Sequence, residues 1–400
     1  MKEYKLSQLL EIKNGKDHKE LPNGDYPVFG SGGVMRYVNE YLYDKPSILL
    51  PRKGSLNNIQ YCDVPFWTVD TLYYTEVNEK LACPYYLYRY LHLLDLSGLD
   101  TGTGVPSMTF DSYYNIKVIL PEIEEQKRVA SVLQNLDYKI ALNRQINDNL
   151  EEQLRLITSR YIFGSPYLKK KRIGEIATIK AGGDCPITFS KTRTQECNIP
   201  IFSNGTEDRG LYGFTNKANI EGHSITVAAR GTIGYCERRL MPFVPIIRLL
   251  AITPKEDGAY IYLHQVIRGM KFKKNGSVQQ QLTVPEISFI EIPYPHSSVL
   301  HEYNNVANPI VEMIERNINE NEILTKQRDE LLPLLMNGQA TINYHLSVVN
   351  VVARLPFYRR LPIFMYCFIL LLLSRLSWYN KNVRLQEMGD VIKGVIKEVA

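Results

Sequence analysis

The chain contains 400 residues, of which 44% are hydrophobic and 22% are charged. This composition is typical of globular proteins and excludes disordered and fibrous classes, while the length predicts at least two domains. The net charge of +5 comes from residues 345–400, where eight basic residues outnumber three acidic ones, so the rest of the chain is neutral. Total charge is therefore a weak argument for a polyanionic partner.

The six cysteines form no Cys-x-x-Cys pair and no cluster with histidine, which predicts free thiols in a reducing compartment and no zinc site. The N-terminal segment lacks the apolar run of a signal peptide, so we expect a cytoplasmic protein. Motifs for a phosphate-binding loop, a zinc protease and a serine hydrolase are absent from the sequence. Without such a constellation we predict a binding protein with no catalytic residues and no metal site.

In chain order, the first feature is a repeat. The segment PVFGSGG, which begins at Pro27, resembles PIFSNGT, which begins at Pro200. The segment SMTFDSYYNIKVILP resembles QLTVPEISFIEIPYP, 174 residues later, and such shifts indicate a duplicated domain. Each copy reads as short strands separated by Gly, Pro and Asn turns, with one clear helix at 84–94 or at 259–270.

A long helix follows the first copy. After Pro121, apolar residues and two asparagines recur in alternating steps of three and four over about five heptads, which predicts a coiled-coil helix. One series is Val129, Leu136, Asn143, Leu150 and Ile157, and the other is Leu133, Ile140, Asn147, Leu154 and Tyr161.

The same pattern returns 174 residues later. The two series are then Tyr303, Ile310, Asn317, Leu324 and Leu331, and Ala307, Ile314, Asn321, Arg328 and Leu335. A polar residue on the contact face fixes the register of a helix pair. In an antiparallel pair, Asn143 faces Asn321 and Asn147 faces Asn317, while Leu136 against Arg328 is the one poor match. The alternative is two amphipathic helices that pack separately on their own domains.

Proline interrupts the second helix pattern near its start. Because proline removes a backbone donor and disfavours helix in the preceding residue, we expect regular helix to begin only around Pro309, with Asn308 as its cap.

The run LPEIEEQKRVASVLQNLDYKI resembles the specificity (S) subunit of type I restriction–modification enzymes. The family carries a proline, a Glu-Gln pair and then spaced Leu, Asp and Ile, and the matching residues here are Pro121, Glu125, Gln126, Leu133, Asp137 and Ile140. The segment QRDELLPLLMNGQ, at 327–339, is similar to the family's usual ending. The second helix lacks the Glu-Gln pair, and the resemblance covers about residues 1–343.

The resemblance implies a non-catalytic subunit whose two target-recognition domains each read one half of a split site in double-stranded DNA. Its helices would act as a spacer, since a helix of about 35–40 residues spans about 55 Å. Two copies of a methyltransferase (M) subunit would dock on this chain, and nuclease/translocase (R) subunits would join them. The S-adenosylmethionine, ATP and Mg²⁺ would be used by those partners, with no cofactor bound by this chain.

We therefore predict an α+β protein in which two tandem mixed α/β recognition domains are joined by two long helices, an antiparallel coiled coil with pseudo-twofold symmetry. The predicted parts are the first target-recognition domain at 1–121, the first spacer helix at 122–163, the second target-recognition domain at 164–297, the second spacer helix at 298–338 and an atypical C-terminal extension at 339–400.

Candidate DNA-contacting residues lie in two loops of each copy. Phosphates accept hydrogen bonds from Lys, Arg, hydroxyls and backbone N–H groups, and base edges are read by Arg, Lys, Asn and Gln. In the first copy the candidates are Arg52, Lys53, Ser55, Asn57, Asn58, Thr101, Thr103 and Ser107. In the second copy they are Arg230, Thr232, Lys271, Lys273, Lys274, Asn275, Ser277, Gln279 and Gln280.

The glycine-rich stretch TGTGVPSMT, at 101–109, has two interpretations. Bare backbone N–H groups bind anions, so the stretch could cradle a nucleotide phosphate. Its counterpart NGSVQQQLT, at 275–283, shares no Gly-x-Gly. A phosphate site would be expected to keep its glycines in both copies, so we favour a DNA-facing loop.

The C-terminal extension contains an apolar segment, LPIFMYCFILLLLS, at 361–374. This segment is shorter than the ~20 residues that span a bilayer, so we expect a nonessential extension and no membrane partner. The rival functional hypotheses are a coiled-coil adaptor that binds only protein partners and an enzyme with an unrecognised site.

Overall fold

The computed structural model describes residues 1–96, 98, 106–164, 168–256, 258–272 and 281–340. These residues form two compact units. The first contains residues 1–140 together with the described residues from 323 onward, and the second contains residues 141–322.

The first unit contains three small sheets and three short helices, followed by a long helix that continues into the second unit. In chain order the elements are β1 (Lys2–Lys5), α1 (Leu6–Leu9), β2 (Leu10–Asn14), β3 (Tyr26–Gly30), β4 (Gly33–Val38), β5 (Ser47–Pro51), β6 (Gln60–Cys62), β7 (Trp67–Thr68), β8 (Leu72–Val77), α2 (Pro84–Leu91), α3 (Phe110–Tyr114), β9 (Lys117–Leu120) and α4 (Ile123–Thr158). The sheets have the strand orders β2-β8-β5-β6, β4-β3-β7 and β1-β9. All their strand pairs are antiparallel except β3 with β7.

The second unit repeats this arrangement. A π-helical turn, Ser159–Phe163, ends α4, and the elements that follow are β10 (Leu168–Arg172), α5 (Ile173–Ile176), β11 (Ala177–Ala181), β12 (Ile199–Phe202), β13 (Leu211–Thr215), β14 (Ser224–Ala228), β15 (Cys236–Arg239), β16 (Val244–Pro245), β17 (Leu249–Pro254), α6 (Ala259–Gly269), α7 (Val284–Phe289), β18 (Glu291–Pro295) and α8 (Ser297–Met336). The strand orders β11-β17-β14-β15, β13-β12-β16 and β10-β18 match those of the first unit one for one. The repeat in the sequence is therefore a repeat of the whole topology.

Each unit has its own core, built on its four-stranded sheet. The central strands β5 and β14 are buried along their whole length, and most of their side chains are apolar. In the first unit Tyr86 of α2 and Leu133 of α4 pack into this core, and in the second unit Tyr262 of α6 and Tyr303 of α8 do so. The long helices thus supply core residues to the units that they cross.

The short helices α1, α3, α5 and α7 were not predicted from the sequence. They contain four to six residues, so they are too short for an apolar periodicity to emerge. A local signal does precede two of them. Thr109 accepts a hydrogen bond from the backbone N–H of Ser112, and Thr283 accepts one from that of Glu286, as N-cap residues do.

The long helices α4 and α8 run antiparallel, and their asparagines bind each other. Asn143 Nδ2 donates to Asn321 Oδ1 at 2.9 Å, and Asn317 Nδ2 donates to Asn147 Oδ1 at 2.8 Å. These are the two pairs given by the antiparallel register. Arg328, the poor match of that register, instead binds the carboxylate of Asp137 at 3.0 Å.

The expectation for Pro309 is wrong. Helix α8 begins at Ser297 and continues through the proline without a break. Three side chains around it, Tyr303, Ala307 and Val311, are buried in the core of the second unit. Their packing holds the segment helical on both sides, which outweighs the cost of about 3 kcal/mol for proline in a helix interior.

Partly buried carboxylates on α4 bind side chains of the elements packed against this helix. In the first unit, Asp137 accepts hydrogen bonds from Arg89 and Tyr85 of α2. In the second unit, Glu151 binds Arg238 of β15, which is buried, and Arg268 of α6 at 2.7 Å. Each unit thus joins neighbouring elements to α4 through a carboxylate with at least two donors.

Replacing Asn143 alone by leucine should lower the free energy of unfolding. The change leaves the Asn321 amide and the Glu320 carboxylate without the buried Nδ2 donor, and such a loss costs about 1–3 kcal/mol. Replacing Asn143 and Asn321 together should recover part of this loss. Chemical denaturation of the two single variants and the double variant measures the coupling, and strictly additive effects would contradict the pair.

Replacing Glu151 by glutamine should destabilise the second unit by about 3 kcal/mol near neutral pH, because the buried Arg238 loses its counter-charge. Burial alone would raise the pKa of Glu151, but the charges and hydrogen bonds of Arg238 and Arg268 hold that pKa below 4.5. The unfolded chain therefore binds this proton more tightly, and the stabilisation is complete above pH 4.5 and lost as the pH falls through the folded-state pKa.

Thermal denaturation from neutral pH to below pH 4.5 checks both the destabilisation by Glu151→Gln and its dependence on pH. The difference between wild type and Glu151→Gln should shrink on acidification, and a constant difference would refute the ion pair. The matched control is Glu152→Gln, because Glu152 is the exposed neighbour and pairs with Arg155, an exposed residue three positions away. This variant should behave like wild type.

Candidate nucleic-acid interface

In the first unit, two candidate loops lie side by side at the end of β5. The loop that begins at Arg52 continues β5, and the segment 106–109 leads into α3. Lys53 and Ser107 form an antiparallel bridge, Gly54 N–H donates to the Pro106 carbonyl at 2.9 Å, and Met108 N–H donates to the Arg52 carbonyl at 3.0 Å. The structure therefore brings together two loops that are over 50 residues apart in sequence.

The turn between β3 and β4 joins these loops. The Asn58 side chain donates to the Ser31 carbonyl, and Gln60 Nε2 donates to the Gly30 carbonyl at 2.9 Å. Gly54 adopts φ +96°, a conformation that glycine reaches without steric cost. Three chain segments thus form one polar surface, which we call the first reading surface (residues 30–33, 52–58 and 106–109).

Buried groups fix the path of the first reading surface. The hydroxyl of Tyr113 donates to the Pro51 carbonyl at 2.7 Å, and that of Tyr73 donates to the Met108 carbonyl at 3.2 Å. Burial raises the pKa of both tyrosines, so the hydroxyls remain donors at neutral pH. Arg52 donates to the Asp70 carbonyl at 3.2 Å and lies 6.0 Å above the Tyr73 ring.

The second unit builds the same surface from equivalent segments. Leu282 N–H donates to the Ala229 carbonyl at 2.8 Å, as Met108 does to Arg52 in the first unit. Asn204 Nδ2 donates to the Arg230 carbonyl at 2.8 Å, and Thr232 Oγ1 donates to the Asn204 carbonyl at 3.0 Å. We call this the second reading surface (residues 203–210, 230–234, 271–272 and 281–283).

Lys271 is placed on the second reading surface because its neighbour Phe272 packs there. The ring of Phe272 lies against Gly234, whose φ is +88°, and a Cβ on that glycine would meet the ring at 2.6 Å. Lys271 itself is exposed. The segment that follows α6 is therefore held beside the turn that carries Arg230 and Thr232.

The two reading surfaces differ in the turn that joins the strands of their three-stranded sheets. In the first unit the turn after Gly30 is short, whereas in the second unit eight residues separate β12 from β13. Within that longer turn Asp208 and Arg209 have positive φ values, +44° and +55°, which non-glycine residues rarely adopt. Such backbone strain persists only where surrounding contacts hold it.

Arg209 provides those contacts. Its guanidinium binds Glu237 of β15 at 2.8 Å and Glu315 of α8 at 3.4 Å, while its carbonyl accepts a hydrogen bond from Arg239 at 2.5 Å. Burial alone would lower the pKa of Arg209, but the two carboxylates raise it. Burial and the charge of Arg209 lower the pKa of Arg239 to about 10, so both side chains are cations at neutral pH.

The structure describes nine of the seventeen predicted DNA-contacting residues. Lys53, Ser55, Asn57, Asn58, Thr232 and Lys271 are exposed, and Arg52, Ser107 and Arg230 are partly buried. The other predictions lie outside the described residues, namely Thr101, Thr103, Lys273, Lys274, Asn275, Ser277, Gln279 and Gln280. All nine described residues lie on one of the two reading surfaces.

Sequence reasoning did not single out Ser31, Asn204 or Arg209. The repeat of PVFGSGG and PIFSNGT did mark the turns that contain the first two. Their role depends on hydrogen bonds to residues 26 or more positions away, which no local pattern encodes.

The chemistry of the two surfaces is that of binding. Lysine, amide and hydroxyl groups, together with exposed backbone N–H groups, match the acceptors of phosphates and base edges. Within the described ranges, no three His, Cys, Asp or Glu side chains are grouped so that they could hold a metal ion. Over the same ranges, no helix has the length and apolar character required to cross a membrane.

Comparison with known proteins gives consistent matches along the chain. The family model for the type I restriction modification DNA specificity domain matches residues 1–152 and 168–332. The Mycoplasma pneumoniae protein S.MpnORF507P is 24% identical over 327 residues, covering 77% of this chain and 88% of that protein. The MjaIX specificity subunit of a type I restriction enzyme from Methanocaldococcus jannaschii is 21% identical over 373 residues, covering 81% and 86%.

A solved structure shares the fold. The crystal structure of the S subunit of a type I restriction–modification system from M. genitalium superposes with a TM-score of 0.57 at 18% identity, covering 84% of this chain and 95% of that one. The family match extends over both units and over most of α4 and α8. This chain therefore belongs to the family of type I restriction–modification specificity subunits.

Proposed function

We propose that this chain reads a bipartite DNA site, with one half of the site bound by each reading surface. The observation that carries the proposal is the recurrence of the surface. Both units place a turn from the three-stranded sheet, a loop from the four-stranded sheet and the segment before a short helix in contact. A duplicated fold that keeps these contacts while changing the exposed residues is suited to reading two different sequences.

The exposed side chains are of the types that contact phosphates and of the types that contact base edges. Lys53 and Lys271 can each neutralise a phosphate, which supplies affinity that depends on salt. Asn57 is an exposed amide of the type that pairs with adenine in the major groove. The first reading surface thus combines a positioning cation with a group that distinguishes bases.

The long helices would set the spacing between the two halves of the site. Helix α4 contains 36 residues and α8 contains 40, and 36 helical residues span about 54 Å. Symmetric DNA-binding dimers place their half-sites about 34–36 Å apart, or one helical turn. The length of the helices therefore suits a spacer of roughly one to one and a half turns of DNA.

The chemical steps would be carried out by other subunits of the complex. We propose that two methyltransferase (M) subunits dock on this chain, that nuclease/translocase (R) subunits join them, and that S-adenosylmethionine, ATP and Mg²⁺ act in those partners. The complex would operate in the cytoplasm, where its DNA substrate lies. This chain would contribute selectivity and no reacting group.

Methylome sequencing of cells that carry this chain and its partner subunits tests the proposal. The expected result is a motif of two short specified sequences separated by a fixed number of unspecified bases. An adaptor that binds only proteins would leave the methylated motif unchanged when exposed residues of the reading surfaces are substituted.

Replacing Lys53 by alanine should weaken DNA binding in a way that depends on salt. The logarithm of the binding constant falls linearly with the logarithm of the salt concentration, and loss of one phosphate contact should make this slope less steep by about 0.9. Fluorescence anisotropy of the assembled complex, titrated onto a duplex at several salt concentrations, measures this slope.

The matched control is Lys80→Ala. Lys80 is also exposed, but it lies beyond the Val77 end of β8, whereas the first reading surface contacts Thr71, beyond the other end. This variant removes the same charge and should keep the wild-type slope. Equal slopes for the two variants would show that Lys53 does not contact a phosphate.

A further inference from the structure

We propose that Asn204 is a positioning residue that determines how selectively the second reading surface recognises its half-site, and that Arg209 holds Asn204 in place from helix α8. This inference rests on the proposed DNA-reading function. It concerns two residues that do not themselves need to contact DNA.

Asn204 contacts the turn that carries Arg230. The Asn204 side chain donates to the Arg230 carbonyl at 2.8 Å, and its main-chain carbonyl accepts from the Thr232 hydroxyl at 3.0 Å. Gly231, between these two contacts, has φ +77°, and a Cβ there would lie 3.5 Å from Asn204 Nδ2. One residue therefore holds the turn on both sides of its left-handed glycine.

The position of Asn204 is constrained by the turn in which it lies. Asn204 directly follows Ser203, whose backbone N–H donates to the Gly210 carbonyl at 2.8 Å and closes the turn. The closed turn includes the two residues with positive φ, Asp208 and Arg209. Its shape is unfavourable for an isolated chain, so it requires an anchor.

The side chain of Arg209 anchors this turn. Arg209 binds Glu315 on α8 and Glu237 on β15, and it also donates to the Arg238 carbonyl at 3.1 Å. Because α8 is packed into the core of the second unit, these contacts fix the turn to a rigid element. Ion pairs, peptide bonds and hydrogen bonds together then connect the long helix through the closed turn to Arg230.

The first unit provides a comparison. Its turn is also joined by an asparagine side chain, but in the opposite direction, since Asn58 of the loop donates to the Ser31 carbonyl of the turn. Each reading surface is therefore held by contacts within its own unit. Substitutions at Asn58 and at Asn204 should affect different halves of the DNA site.

The expected effect is on selectivity more than on affinity. Hydrogen bonds to base edges require close alignment of donor and acceptor, whereas attraction to phosphates tolerates displacement. A turn that is free to move loses discrimination between bases before it loses binding to DNA.

The experiment uses the full chain assembled with its partner subunits. Methylation rates are measured on the cognate duplex and on duplexes with one base pair changed in either half of the site. Asn204→Ala should lower the ratio of cognate to altered-site rates about tenfold for one half only, the discrimination that one bidentate base contact supplies. Asn58→Ala should do the same for the other half only.

Two further variants distinguish positioning from a general loss of structure. Asn204→Asp keeps the size of the side chain but removes the N–H donor, so it should behave like Asn204→Ala. Arg209→Lys keeps the charge but loses the planar fork that binds two carboxylates, so it should reduce selectivity in the same half as Asn204→Ala.

Wild-type selectivity for Asn204→Ala, or an equal loss in both halves accompanied by a lower unfolding temperature, would overturn the inference. A wild-type complex without any site-selective methylation would overturn the proposed function itself, and the inference with it. The two failures are thus distinguishable by the behaviour of the wild-type complex.

Discussion

Both units depend on a carboxylate of α4 that is partly shielded from solvent and bound to arginine. Asp137 in the first unit and Glu151 in the second each accept hydrogen bonds from two or more donors on neighbouring elements. A charge removed from water is costly unless it is paired and hydrogen-bonded, so such a group tolerates only one arrangement of its neighbours. The elements that bind these carboxylates are therefore held in a defined position against α4, and they share a core with the sheets on which the reading surfaces are built.

The two units reach this result with different residues. Asp137 pairs with the α2 residue Arg89 and with Arg328 of α8, whereas Glu151 pairs with Arg238 of β15 and Arg268 of α6. The topology has been kept while the polar contacts have changed. This pattern is consistent with a duplication in which each copy was afterwards adapted separately, including its asparagine contact at the reading surface.

Much of the architecture could be predicted from the sequence because it depends on periodic or repeated features. The heptad series placed Asn143 opposite Asn321, since helix geometry alone relates sequence spacing to a face. The same local reasoning was wrong at Pro309, where core packing outweighs propensity. The contacts of Arg209 could not be predicted, because its partner Glu315 lies 106 residues away and no pattern links the two positions.

In each reading surface, the backbone path and the exposed chemistry are specified by different atoms. In the first reading surface the path depends on Gly54 in the left-handed region and on the hydroxyls of Tyr73 and Tyr113, which donate to backbone carbonyls. In the second it depends on left-handed glycines and on the Asn204 amide. The side chain of Lys53 is exposed to solvent. Exposed substitutions away from structural contacts usually change stability by less than about 0.5 kcal/mol. Such a surface can acquire a new binding preference by single substitutions while the fold beneath it stays the same.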